Sequence, residues 1–77
     1  MAKQVIIIGG DGNGGVAAAC IQDMRVNYDI EEYEVYGFIN DFIPAGKTIN
    51  GYPVLGGLKD IGPYVAGDFY FIYAIHS

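Results

Sequence analysis

The chain has 77 residues, with twelve glycines, seven tyrosines, four phenylalanines, one cysteine and a formal net charge of −5. That length holds at most one small domain, and Cys20 with His76 can supply neither an internal disulfide nor a zinc cage. Nine acidic residues against four basic ones exclude a nucleic-acid binder that works by neutralising phosphates and a polybasic membrane anchor, while 52% hydrophobic residues exclude disorder.

The first apolar run, Val5 to Ile8, is too short for a signal-peptide core, and no segment approaches the roughly 20 apolar residues that span a bilayer. Cytoplasm is therefore the expected compartment, and one unpaired cysteine fits reducing conditions. Lys3 to Ile8 is a brief β-branched run closed by glycines, which predicts a parallel strand buried on both faces.

Gly9-Gly10-Asp11-Gly12-Asn13-Gly14-Gly15 follows at once and places five of the twelve glycines in one loop. Two phosphate-loop registers fit it: Gly10, Gly12 and Gly15 as G-x-G-x-x-G, or Gly9, Gly12 and Gly14 as G-x-x-G-x-G. Glycine serves such a loop by allowing a tight turn, close approach of backbone to phosphate, and close helix–strand contact. Free amides at the start of the next helix then face the anion. A Walker A loop is excluded because no Gly-Lys-Ser/Thr follows, and Asp11 sets a carboxylate inside the loop, which opposes an anion if it turns inward.

From Gly14 to about Tyr28 the apolar spacing becomes helical, with Ala17, Cys20, Ile21, Met24 and Tyr28 assigned to the buried face. Cys20 reads there as a core residue. Asn27 to Glu32 is a polar crossing, and the acids from Asp29 to Glu34 read as a solvated surface, not a cation site. Tyr33 to Ile39 predicts the second strand, ending at Asn40-Asp41. Phe42 to Tyr52, with Pro44, Gly46, Asn50 and Gly51, reads as turns, and Tyr52 to Leu55 as a short extended segment. Leu58, Ile61 and Val65 suggest a helix held to about two turns by Gly62-Pro63. Asp68 to Ile75 is the last and most apolar strand.

Strand–helix–strand of this size predicts an α/β fold: a small, Rossmann-like βαβ parallel sheet of three main strands, incomplete because nothing covers the far edge of the last one. The last strand is placed beside the first, opposite the second. Ligands of such sheets bind beyond the carboxyl ends of the strands, which here are the glycine loop, Asn40-Asp41 and the end of the last strand. Asn40 and Asp41 can accept hydrogen bonds from a ribose or base N–H, or can form an Asx turn ahead of Pro44. Asp41 stands 29 residues beyond Gly12, later than the acid that binds ribose in dinucleotide enzymes.

Three ordered blocks carry a resemblance: Gly9 to Val16, Gly37-Phe38-Ile39-Asn40-Asp41, and Gly51-Tyr52-Pro53-Val54-Leu55-Gly56. Together they resemble the amino-terminal, PglD-type domain of bacterial sugar O-acyltransferases, found in sialic-acid O-acetyltransferase-like proteins. The resemblance implies a Rossmann-like domain that binds a UDP-amino sugar. It puts the phosphates on Gly9, Gly12 and Gly14, with Gly10 a further candidate from the other loop register, the uracil or ribose on Asp41, and the base pocket beside Ala74 and Ile75. Asn13 stands where the family usually has His, and Asn40 where it often has Asp; both remain candidate substrate contacts. The family also implies a trimerising β-helix domain that binds acetyl-CoA and holds a catalytic His, neither of which this chain contains. No cofactor, nucleic-acid partner or membrane insertion is expected of the chain itself. Two other readings stand beside this one: an NAD(P)-binding fragment of an oxidoreductase, and a non-catalytic interaction domain whose glycines serve packing.

Overall fold

The computed structural model describes residues 2–9 and 15–74 in full and residues 13–14 as helix backbone. Five strands form a sheet: β1 (Lys3–Ile8), β2 (Tyr33–Ile39), β3 (Thr48–Ile49), β4 (Tyr52–Gly56) and β5 (Tyr70–Tyr73), in the order β3-β4-β2-β1-β5. Two helices join them, α1 (Asn13–Asn27) and α2 (Gly62–Val65), with a 3-10 turn over Leu58–Asp60. The fold is thus mixed α/β, with β1, β2, β4 and β5 parallel and β3 antiparallel to β4.

β5 lies beside β1 and opposite β2, as expected. The count of three strands is corrected to five. Asn50 (φ 52°) and Gly51 (φ 84°) take consecutive positive φ values, which close Thr48-Ile49 and Tyr52-Pro53 into a two-residue hairpin. A strand of two residues lies below what an alternating pattern can signal, so β3 was indistinguishable from the turns around it.

One face of the sheet packs on α1. Val5 and Ile7 of β1, Val35 and Phe38 of β2, Val54 of β4 and Ile49 of β3 form one cluster with Ala18 and Ile21 of the helix. Val35 and Phe38 share that face although they are three residues apart, because β2 carries a bulge. Val5 pairs with Val35 but Ile6 pairs with Gly37, leaving Tyr36 as the extra residue. The bulge returns Phe38 to the helix side. Ile6 and Ile39 fall on the other face and are also fully buried; each fully buried Ile contributes about 1.5–3 kcal/mol relative to exposure. On that second side Tyr36 meets Tyr64 of α2 and Phe69, at ring-centroid distances of 6.4 and 4.8 Å. The connection from β4 to β5 therefore lies on the side away from α1.

The helix boundaries agree with the periodicity, but its buried face is rotated. Ala17, Ala18, Ile21 and Met24 pack on the sheet, whereas Cys20 is exposed, as is Tyr28 beyond the helix end. Cys20 is thus corrected from core to surface. Three consecutive alanines (Ala17–Ala19) give the pattern little phase, and the face that fits the sheet is set by Ala18 and Ile21. The helix stops where Asp29 adopts φ 56° and the Ile30 N–H returns to the Met24 carbonyl (2.9 Å). Arg25 binds the helix to the next strand: Nη1 donates to the Tyr33 carbonyl at 2.9 Å and Nη2 lies 3.5 Å from Glu34. Residues 27–32 are exposed, in keeping with a solvated acidic crossing.

Pro63 does not end the short helix but starts its second piece. It stands in the first turn of α2, where its missing N–H costs no intrahelical bond. β5 is the outer strand, with its residues exposed or half-buried. Lys3 Nζ lies between the rings of Tyr33 and Tyr70, 5.6 and 5.5 Å from their centroids, and so joins the first residues of three adjacent strands. No helix among the described residues is long and apolar enough to cross a membrane.

Candidate functional site

The strand ends predicted to hold function meet in one row. The Asn40 N–H donates to the Gly56 carbonyl at the end of β4 (2.9 Å), and the Gly9 N–H donates to the Ile39 carbonyl (2.9 Å). The Ala74 N–H donates to the Ile8 carbonyl (2.8 Å). Gly56, Asn40, Gly9 and Ala74 therefore stand side by side at the carboxyl edge. The chain runs outward from β1 through β2 to β4, then returns to β5 on the other side of β1. The strand order reverses between β1 and β5, beside Gly9 and Ala74.

Gly9 is buried, and α1 begins four residues later at Asn13. Gly10 and Gly12 of the phosphate-loop registers lie outside the described residues, as do Asp11, Ile75 and His76. Asn13 and Gly14 are placed as the first residues of α1. Of the nine candidate site residues, Gly9, Asn40 and Ala74 are joined at this edge by backbone hydrogen bonds of the strand ends, Asp41 follows Asn40, and Asn13 and Gly14 open α1.

Asn40 joins two of the predicted motifs. Its Nδ2 donates to the Gly9 carbonyl (3.1 Å), while its Oδ1 accepts the N–H groups of Phe42 (2.7 Å) and Ile43 (2.8 Å). The Asx turn is therefore present, and the same side chain ties the end of β1 to the loop after β2. The turn sends Ile43 toward the core cluster and leaves Phe42 94% exposed at the rim.

Asp41 sits at the mouth of a depression of about 310 Å³, bordered also by Pro44, Gly57, Lys59 and Asp60. Its Oδ1 accepts the Leu58 N–H at 2.8 Å, and Asp60 Oδ2 accepts the Gly57 N–H at 3.0 Å. Two carboxylates thus satisfy the free amides at the start of the 3-10 turn. The other Asp41 oxygen makes no hydrogen bond among the described residues. Around this depression two carboxylates face one lysine. That balance suits a donor-rich group such as a base N–H or a ribose hydroxyl better than a phosphate.

Sequence reasoning did not assign Gly57, Lys59 or Asp60 to the site. The signal was available in Gly57-Leu58-Lys59-Asp60, where an acid three residues after a small one marks a helix start. A larger depression, about 550 Å³ between Lys3, Glu34, Asp68 and Tyr70, lies at the amino edge of the sheet, the end away from which such sheets bind ligands. Among the described residues no group of three or more His, Cys, Asp or Glu could hold a metal ion.

Comparison with protein-family models, with curated proteins and with solved structures found no match for this chain.

Proposed function

We propose that this is a Rossmann-like domain that binds a nucleoside diphosphate sugar, of the UDP-amino sugar class, across the carboxyl edge of its sheet. The diphosphate sits against the glycine loop and the first turn of α1, where backbone amides supply donors without basic side chains. The nucleoside lies toward Asp41, whose uncommitted oxygen accepts from a base N–H or ribose hydroxyl. The observation that supports the reading is the Asn40 bridge to Gly9, because it ties the strand end from which the glycine loop departs to the residue before Asp41, which borders the depression. An edge made of backbone amides at one end and carboxylates at the other also accounts for an anion binder with a net charge of −5.

In this reading the domain positions the sugar for an acetyl-CoA-dependent acetyltransferase of the cytoplasm, whose full-length form is a trimer. Acetyl-CoA and the catalytic base belong to the separate β-helix domain that the resemblance implies, and no residue of this chain is assigned to them. The competing NAD(P) reading asks for an acid closer to the glycines than Asp41.

Calorimetric titration separates the two. UDP and a UDP-amino sugar are expected to bind and NAD(H) is not; NAD binding without UDP binding overturns the proposal. Asp41→Asn separates structure from recognition at the same position. The amide oxygen still accepts the Leu58 N–H, so stability holds, while the lost charge weakens UDP binding by at least about tenfold. Asp41→Ala is expected to lose both the cap and the affinity. An Asp41→Asn protein that binds UDP like the native chain removes Asp41 from the nucleoside contact.

A further inference from the structure

We propose that the β3–β4 hairpin is a clamp on the first turn of α1, and that Asn50 at its tip is a positioning residue for the anion site. The positioning role rests on the binding reading above; the clamp rests on the hairpin itself. Asn50 Nδ2 donates to the Gly15 carbonyl at 2.9 Å, within the first turn of α1. Seven residues along the helix, the Tyr52 hydroxyl donates to Gln22 Oε1, also at 2.9 Å. A spacing of seven is about two helical turns, so both contacts fall on one side of α1. The hairpin that makes them is anchored: Ile49 and Val54 are buried in the core cluster.

The tip requires two properties of one residue. Asn50 must accept a left-handed backbone (φ 52°), and its side chain must donate to a carbonyl. Glycine meets the first demand and aspartate tolerates it, but neither supplies the donor. Gly15 fits closely beneath the amide, since a Cβ there would stand 3.4 Å from Nδ2. Asn50 is assigned no contact with the ligand itself; its one side-chain hydrogen bond among the described residues is to the Gly15 carbonyl. It acts by fixing the helix turn whose amides face the diphosphate, while β4 of the same hairpin runs on to Gly56 and Gly57 beside Asp41. One supersecondary element thereby sets the spacing between the phosphate end and the nucleoside end.

Asn50→Gly and Asn50→Asp, made in the full chain, test this with amide exchange by NMR and with UDP titration. Asn50→Gly keeps the turn, so the melting temperature is expected to stay within about 5 °C of native. The amides of Ala17, Ala18 and Ala19, which close the first turn, exchange faster, and the Val16 amide resonance moves because the Gly15–Val16 peptide loses its hydrogen bond. UDP affinity falls about three- to tenfold, the worth of one hydrogen bond. Asn50→Asp sets a carboxylate against the Gly15 carbonyl and loses more. Unchanged exchange and an unmoved Val16 resonance overturn the clamp. Faster exchange with unchanged UDP affinity overturns the positioning role. A native chain that fails to bind UDP removes the binding reading, and the positioning role with it, while the exchange data still decide the clamp.

Discussion

Gly37→Ala is expected to lower the melting temperature by roughly 15 °C or more. Gly37 is buried in β2 immediately after the Tyr36 bulge, where β2 approaches β4 closely. A Cβ at that position would lie 2.8 Å from the Pro53 carbonyl oxygen and 2.9 Å from Leu55 Cγ. The first neighbour is backbone and cannot swing aside, so the two strands must separate or the bulge must shift. Overpacking of this kind costs about 3 kcal/mol. A domain of this size has a total stability of roughly 4–12 kcal/mol, and each kilocalorie moves its melting point by about 4–8 °C. Thermal unfolding followed by circular dichroism measures the effect. A shift of only a degree or two would mean that β2 and β4 are less closely apposed than described. Gly37→Val, which adds two more methyl groups to the same space, is expected to leave little folded protein at 37 °C.

Asn40→Ala is expected to cost about 2 kcal/mol and to abolish measurable UDP binding. The substitution removes three hydrogen bonds together: one to the Gly9 carbonyl and two from the N–H groups of Phe42 and Ile43. Each contributes about 0.5–1.5 kcal/mol net, and partial exposure lets water recover some of the loss. The midpoint of urea unfolding should fall while the slope stays constant, since the native surface is otherwise unchanged. Asn40→Asp is the informative companion. Its carboxylate still accepts both loop N–H groups, but it cannot donate to Gly9, so it preserves the turn and breaks only the bridge. Stability between that of the native chain and that of Asn40→Ala, since a carboxylate then faces the Gly9 carbonyl, combined with weakened UDP binding is the expected result for Asn40→Asp. Equal loss of stability in both variants would place the whole stabilising effect in the bridge to Gly9 and none in the turn, and native UDP affinity in Asn40→Asp would remove the bridge as the link between the two ends of the site.

Much of this architecture is legible in the residues. The strands β1 and β2 and the helix between them announce themselves because Val5 to Ile8 and Tyr33 to Ile39 are dense in β-branched or aromatic residues and are bounded by glycine or Asn-Asp. The neighbours of β1 follow from βαβ logic. The local departures do not, because each depends on a tertiary contact. Tyr36 bulges in response to pairing with β1, and no feature of Tyr-Glu-Val-Tyr-Gly-Phe-Ile marks which residue is extra. Cys20 and Ala18 are near-equivalent candidates for a buried position until the sheet selects Ala18. The Asn50-Gly51 step was visible as a turn, but its hairpin rests on two residues of β3 that carry no periodicity. At the site, Asn40 and Asp41 were placed correctly at the carboxyl edge. What the sequence could not reveal is that the Asn40 amide is spent on three backbone partners, so that its role in the proposed site is to hold Gly9 and the next loop together.

The Asn50–Gly51 turn is also open to a slow chemical change of its own. Asparagine followed by glycine favours attack of the following backbone nitrogen on the side-chain carbonyl, because glycine has no side chain to hinder ring closure. The amide nitrogen leaves as ammonia, and water then opens the cyclic imide to aspartate or isoaspartate. Here the departing nitrogen is the one that donates to Gly15. Each such event removes that donor and adds a negative charge beside the start of α1; the isoaspartate form also lengthens the turn by one backbone carbon. Storage thus converts a uniform preparation into species that differ in charge and mass, and each event at Asn50 releases the latch between hairpin and helix; Asn13-Gly14 is the other Asn-Gly step of the chain.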